Sequence, residues 1–503
     1  LVPPGNPERF GMDFLYKSDG CGVYPVGTQQ DESMKTIIKF FGAMILGAGL
    51  FVVGCSKRQS ASSWSLDKSG ASAQLKQFIA AQETQARALA KQDGNKLPPE
   101  FDAFYKAAET GDWQDATNLY ERMGMRLDGD NSLRGSWWSA TMDACGVFWE
   151  FPPGDKYAIA FGNDIIQSIP VGSIYFGGAD PGRFVVTALM ESHADGKPFF
   201  ALSQNPLADV TYLHYLRAMY GGKIYTPTDE DLQKSFQDYT TDAQRRLAHD
   251  QQFPNEPKQI KPGEEVKLDT NGLIQISSHM NVIEIRELLT KTIFDNNPDR
   301  EFYVVEGFPL DWMYPYLEPH GLIMKINRQP LSEMSDEIVQ RDRDYWTKYI
   351  APMVGDWLKP DTTIAEVAAF AEKIHVKKDL SGFAGDPQFV QSEYWCENFS
   401  KLRSSIGGLY AWRARHATDA GEKKRMNDAA DFAFRQAWAL CPYSLETVFR
   451  YVNLLTSEGR TADALWVAET AEKMPQNKGN GQLAPFIAQL KQWQKEGLPK
   501  SAN

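Results

Sequence analysis

The spacing of apolar and polar positions changes character twice along the chain. From Ser72 to Gln92, alanine, glutamine and leucine recur with few breakers, which predicts an exposed helix. The stretch FDAFYKAAETGDWQDATNLYERM, residues 101–123, predicts two helices about a Gly111-Asp112 turn. The texture then shortens. GSIYF (172–176) and PFFALS (198–203) are apolar runs of strand length, and each precedes a helical pattern, RFVVTALMESH and DVTYLHYLRAMY. HMNVIEIRELLTKTIFDNN is a longer helical pattern, followed by the strand-like EFYVVE and GLIMKIN. Strand and helix in alternation predict an α/β, Rossmann-like layer. The polar, glutamine-rich span from Thr226 to Gly263 predicts a helix and a loop bridging two parts of that layer.

Helical periodicity returns after residue 330. LSEMSDEIVQRDRDYWTKYIAPMVGDWL is charged on one side, with Trp346, Tyr349 and Trp357 on the other. TTIAEVAAFAEKIHV has an N-cap at Thr362 or Thr363, with Glu366 placed to complete it. In AADFAFRQAWALCPYS the positions Ala430, Phe434, Ala437 and Pro442 carry a small-aromatic-small-proline order. The relation returns 34 residues later at Gly459, Ala464 and Ala471, with Pro475 nearby. This register resembles the tetratricopeptide (TPR) repeat, as, more weakly, do Gly111, Ala116 and Tyr120. In that pattern small alanines let two antiparallel helices approach while the aromatic fills the gap between hairpins. KLRSSIGGLYAWRARHA (401–417) supplies the first helix of the earlier hairpin, TDAGEKKRMN reads as an overlong link, and GQLAPFIAQLKQWQKEG (481–497) as a capping helix.

Length and charge narrow the function. A chain of 503 residues predicts two or more structural units, and 42% hydrophobic with 12% aromatic residues is a folding composition. A net charge of −12 argues against nucleic acid, whose phosphates need clustered Lys and Arg. Cys21, Cys55, Cys145, Cys396 and Cys441 lie far apart and form no zinc-type spacing. No metal or cofactor is expected. Disulfide pairing depends on distances that spacing does not supply.

The segment from Met34 to Cys55 has Lys35 and Lys39, then the apolar run from Phe40 to Val53, and closes on Val-Val-Gly-Cys. It resembles a bacterial lipoprotein signal peptide with its lipobox, which implies a diacylated Cys55. By the same resemblance, Ser56 does not mark inner-membrane retention. Residues 1–33 start with Leu, lack a hydrophobic period and read as an over-extended or vector-derived extension. Residues 56–70 then form a polar tether. The remaining boundaries are a helical region at 71–156, the α/β domain at 157–330, connecting helices at 331–400 and TPR-like helices at 401–503.

Candidate chemistry sits where strands hand over to helices, since open α/β sheets hold ligands at the carboxyl ends of their strands. In GSIYFGGADPGRF the glycine turn lacks the Lys-Ser/Thr of a P-loop and the GxGxxG order, and Asp180 would repel a phosphate. Asp180 and Arg183 after one strand, Ser203, Gln204, Asn205 and Asp209 at the end of the next, and Glu306, Asp311 and His320 after a third would converge on one edge if the strands are parallel. That arrangement suits a polar small molecule or glycan. Glu306 and Asp311 are the acid/base candidates, yet no GxSxG or HExxH motif is present.

The stretches GSIYFGGADPGRF and EFYVVEGFPLDWMYPYLEPHGLIMKIN resemble the soluble C-terminal portion of bacterial GT-C, protein O-mannosyltransferase-like membrane proteins, over about residues 157–330. Those enzymes place their catalytic acid between membrane spans, and no later segment here has the apolar length of a span. The resemblance therefore implies an envelope module that touches glycan, lipid-linked sugar or a membrane partner, not a transferase. The reading as a whole is a lipid-anchored envelope protein, on the periplasmic side, that binds a protein partner through its helical repeats. The alternative is a glycan-related enzyme or accessory factor.

Overall fold

In a computed structural model the chain is described over residues 71–150, 155–178, 181–261, 264–268, 274–276, 279–305 and 309–496. It is mostly helical, with a small mixed sheet of five strands. It divides into two compact units, the break falling between Tyr303 and Val304. Among the described residues no helix is long and apolar enough to cross a membrane.

The first unit opens with helices α1 (Ala71–Asp93), α2 (Glu100–Thr110), α3 (Trp113–Gly129) and α4 (Trp137–Glu150). Gly111 ends α2 at φ 77°, a left-handed conformation that glycine adopts without a Cβ clash. Asp112 then starts α3, its carboxylate accepting the Asp115 N–H at 3.1 Å. Asp93, at the end of α1, accepts from both the backbone N–H and the hydroxyl of Ser136, at 2.9 and 2.5 Å, which ties α1 to the start of α4.

Helix α5 (Lys156–Ser168) leads into β1 (Ile174–Gly177), and a wide helical turn at Pro181–Val185 continues into α6 (Val186–Leu189). Strand β2 (Phe200–Ser203) pairs with β1 in parallel, Ile174 opposite Phe200 and Gly177 opposite Ser203. There follow α7 (Val210–Tyr220), α8 (Asp229–Gln252), the antiparallel pair β3 (Val266–Leu268) and β4 (Ile274–Ile276), α9 (His279–Asn296) and β5 (Phe302–Val305). The starts of β1 and β5 lie side by side: the Ile174 N–H donates to Glu301 O at 2.8 Å, and the Arg300 guanidinium to Gly172 O at 3.1 Å. Start beside start makes these two strands parallel. Every residue of β1, β2 and β5 is buried, which is why they read as unbroken apolar runs instead of alternating ones.

The strand order is β2-β1-β5-β7-β6, where β6 (Leu317–His320) and β7 (Ile323–Ile326) form an antiparallel hairpin about Gly321. Beyond it the second unit is helical: α10 (Asp336–Val354), α11 (Ile364–Ala371), α12 (Pro387–Gln391), α13 (Glu393–His416), α14 (Ala420–Leu440), α15 (Leu445–Ser457), α16 (Thr461–Glu472) and α17 (Leu483–Glu496). Thr363 is the cap of α11, in a reciprocal box with Glu366.

Helices α13 and α14 run antiparallel at close range. The Ser400 hydroxyl donates to Ala437 O at 2.7 Å, Arg403 Nε donates to Gln436 Oε1 at 2.8 Å, and Gly407 faces the Phe434 ring, which a Cβ would meet at 3.1 Å. The segment TDAGEKKRMN is not a long link. Helix α14 begins at Ala420, because Asp419 caps it through the Glu422 N–H at 2.8 Å and the following Glu, Lys and Arg are good helix formers. Only Ala417, Thr418 and Asp419 separate the two helices.

One buried histidine gives this unit a pH dependence. His375 is 6% exposed, its ring lies 5.6 Å from that of Tyr443, and its Nε2 has no hydrogen-bond partner. Burial lowers its pKa from 6.5 to about 4. The unfolded chain therefore takes up a proton near pH 6.5 that the folded chain refuses until about pH 4. The stabilisation is fully present above pH 6.5 and declines as pH falls toward 4, by about 3 kcal/mol over that window. Urea unfolding at both ends of the window should show this loss in the native chain and a flatter profile in His375→Leu.

Candidate functional site

The residues singled out at the strand ends part company in the structure. Asp180 and Glu306 lie outside the described residues, as does Cys55. Arg183, Asn205 and Asp209 belong to the first unit, Asp311 and His320 to the second. Asn205 is exposed, and its side-chain oxygen accepts from Arg286. Asp209 is the cap of α7, accepting from the Thr211 N–H at 2.8 Å and the Thr211 hydroxyl at 2.9 Å. Burial raises its carboxyl above the ordinary value. Asp311 is exposed at the start of a short 3-10 turn, and His320 is half-buried at the end of β6, opposite Ile323.

Arg183 leads to a buried polar cluster of the first unit. Its Nε and Nη2 donate to Asp143 Oδ1 at 3.0 and 2.7 Å, with Asp143 2% and Arg183 9% exposed. The other carboxylate oxygen accepts from the Tyr215 hydroxyl at 2.8 Å and faces His193 Nε2 at 3.6 Å. His193 Nδ1 is 3.0 Å from the Tyr220 hydroxyl, which also donates to the His193 carbonyl at 2.9 Å. Below the turn, the Tyr175 hydroxyl donates to Gly182 O at 2.8 Å. Thus the wide turn after β1, α4, α7 and the loop before β2 meet on one buried carboxylate, and β1 is tied to that turn through Tyr175.

The electrostatics follow from that enclosure. Burial by itself would raise the Asp143 carboxyl, but the Arg183 charge and the bonds from His193 and Tyr215 hold it below the usual carboxylate range. Burial would lower the Arg183 guanidinium, and Asp143 reverses that. Tyr215 and Tyr220 are pushed well above the ordinary phenol value by burial first, and the Asp143 carboxylate adds to it. Asp143 and Arg183 therefore stay ionised and paired. The chemistry this suits is cohesion: a carboxylate held by an arginine and a phenol, with an imidazole beside it, fixes the turn after β1.

Asp143, His193, Tyr215 and Tyr220 escaped the sequence reading. One signal was available. Asp143 is the lone ionisable carboxylate of WWSATMDACGVF, a run otherwise apolar or small, and a buried carboxylate requires a partner. The tryptophans Trp137, Trp346 and Trp395 are fully buried, which leaves none of the three a face for a sugar ring. Trp138 stacks on Tyr120 at 4.5 Å, and Trp412 lies between Tyr314 and His416 at 5.5 and 4.1 Å.

A different kind of group sits at the end of β2. Gln204 is 1% exposed and its Nε2 has no hydrogen-bond partner. Among the described residues no group of three or more His, Cys, Asp or Glu side chains is placed to hold a metal ion. Comparison with protein-family models, with curated proteins and with solved structures finds no match to this chain.

Proposed function

We propose that the chain is a lipid-anchored cell-envelope protein whose TPR-like helices bind a protein partner. The observation that carries the reading is Trp466. It stands 45% exposed on α16, in a helix whose Ala464, Val467, Ala468 and Ala471 are all fully buried. A large apolar ring left in water on a rigid helical support is the kind of anchor that interfaces use. The positions that suggested the repeat are in keeping with this. Ala430, Phe434, Ala437, Ala464 and Ala471 are buried, and Gly459 turns the chain between α15 and α16 at φ 77°. The lipobox at Val52–Cys55 supports the membrane tether and the periplasmic placement.

The test is a photo-crosslinking residue at position 466, with Lys424, exposed on α14, as the control. Crosslinking in intact envelopes should give a discrete adduct from 466 that is absent from 424. Equal, diffuse labelling from both positions would count against a docking surface there.

A second reading, a glycan-related enzyme or accessory factor, is favoured by one observation, the unpartnered Gln204 amide at the end of a parallel strand. The resemblance to GT-C membrane proteins points in the same direction. It would use the polar groups around Asn205 and Arg286.

A further inference from the structure

Two cysteines far apart in sequence stand at the same level of the α13–α14 hairpin. Ser400 bonds to Ala437, and one turn further out, four residues earlier in α13 and four later along the returning chain, stand Cys396 and Cys441. Both are fully buried, and both are thiols in the structure. The buried Tyr443 phenol belongs to the same turn, two residues after Cys441. Cys396 Sγ also donates to Phe389 O at 3.2 Å, which fixes its direction. Cys441 is the last residue of α14's hydrogen-bonded ladder, at φ −148° and ψ 86°, its N–H held by Ala437 O at 3.1 Å, which fixes its height in the hairpin.

We propose that Cys396 and Cys441 are a disulfide-forming pair that staples the outer ends of α13 and α14 during oxidative folding. The oxidant is a disulfide, low-molecular-weight or protein-borne. One cysteine thiolate attacks it, forming a mixed disulfide and expelling one thiolate. The second cysteine thiolate attacks the mixed disulfide, forming the Cys396–Cys441 bond and expelling the other. The two protons shed by the cysteines leave on the two thiols of the reduced reagent, so two electrons move from the pair to the oxidant.

The structure also sets when this happens. Burial pushes the Cys396 thiol up to about 12 and the Cys441 thiol well above its ordinary value. Thiolate is scarce in the closed hairpin, and reagent has no path to it. The exchange belongs to the open chain, before the hairpin shuts. Cys145, the other described cysteine, is buried in the first unit. The inference goes beyond the partner-binding reading, and it draws on the envelope placement only for the source of oxidant in the cell.

The experiment refolds the reduced full-length chain in mixed reduced and oxidised glutathione, followed by alkylation, intact mass and non-reducing peptide mapping. The expected product links the peptides holding residues 396 and 441 and is lighter than the reduced chain by about 2 Da. Its Tm should exceed that of the reduced form by roughly 5–10 °C, because the bond closes a loop of more than forty residues. Cys396→Ser and Cys441→Ser should each abolish the link. The folded, reduced chain should oxidise at least about 100-fold more slowly than the chain in denaturant. Refolded chain that keeps both residues as free thiols, or that links either to another cysteine, would overturn the proposal. If the bond forms on refolding but chain trapped from cells is reduced, the pair stands and the periplasmic placement falls.

Discussion

Arg403→Met is expected to cost the helical unit about 3–5 kcal/mol, because it strands a buried carboxylate. Arg403 is 1% and Asp342 4% exposed, and one guanidinium nitrogen reaches both carboxylate oxygens at 3.0 and 2.8 Å. The Tyr410 hydroxyl donates to the same carboxylate at 2.9 Å, and the guanidinium lies 5.2 Å from the Trp346 ring centroid. Three helices, α10, α13 and α14, therefore share one charge pair and its hydrogen bonds. Removing the arginine leaves the acid with a single neutral donor. Removing both, as in Arg403→Met with Asp342→Leu, should recover most of the loss, since two apolar side chains no longer need solvation. Urea unfolding followed by tryptophan fluorescence measures all three chains. A single variant as stable as the native chain would mean that the pair is solvated.

Asp143→Ala should be comparably severe in the first unit, again about 3–5 kcal/mol, because Arg183 is left charged and buried. Tyr215 loses the closer of its two acceptors at the same stroke, keeping only Gln82 Oε1 at 3.5 Å. The substitution also changes the acid limb. The folded-state value of Asp143 lies below the ordinary 3.8, so its contribution is present above that value and disappears as pH falls through the depressed one. Asp143→Asn keeps the shape of the side chain without the charge. Its stability should therefore change less than that of the native chain below about pH 4. Circular dichroism against pH for the two chains reads the difference directly.

Much of the architecture was legible because burial leaves a mark on sequence. Strands β1, β2, β5 and β7 were visible as apolar runs, and the helices around Gly111 as a turn between two periodic stretches. Strand β6 was not, because its residues, Leu-Glu-Pro-His, include a proline that lacks a ladder donor. It sits at the sheet edge, where that lack is tolerated. The start of α14 was misplaced for a local reason: Asp419 and Gly421 look like breakers, while the first is in fact the cap. The candidate site was less legible still. Arg183 and Asp209 were visible as polar residues after strands, but the same residue types serve as ion-pair partner and helix cap. What assigns those roles is Asp143, 40 residues before Arg183, and the backbone N–H of Thr211. Distance in space carries that information, and hydrophobic spacing does not.

These two charge pairs serve the structure, and the surface proposed above for a partner is the face of the helical unit that carries Trp466. The most direct test is the affinity of the crosslinked partner for the native chain and for Trp466→Ala, by titration calorimetry. The expected result is a loss of affinity of at least about tenfold, from one interface aromatic, with unchanged Tm. An unchanged Kd, together with thermal stabilisation of the native chain by an oligosaccharide or sugar phosphate, would contradict the account and favour a ligand site beside Gln204.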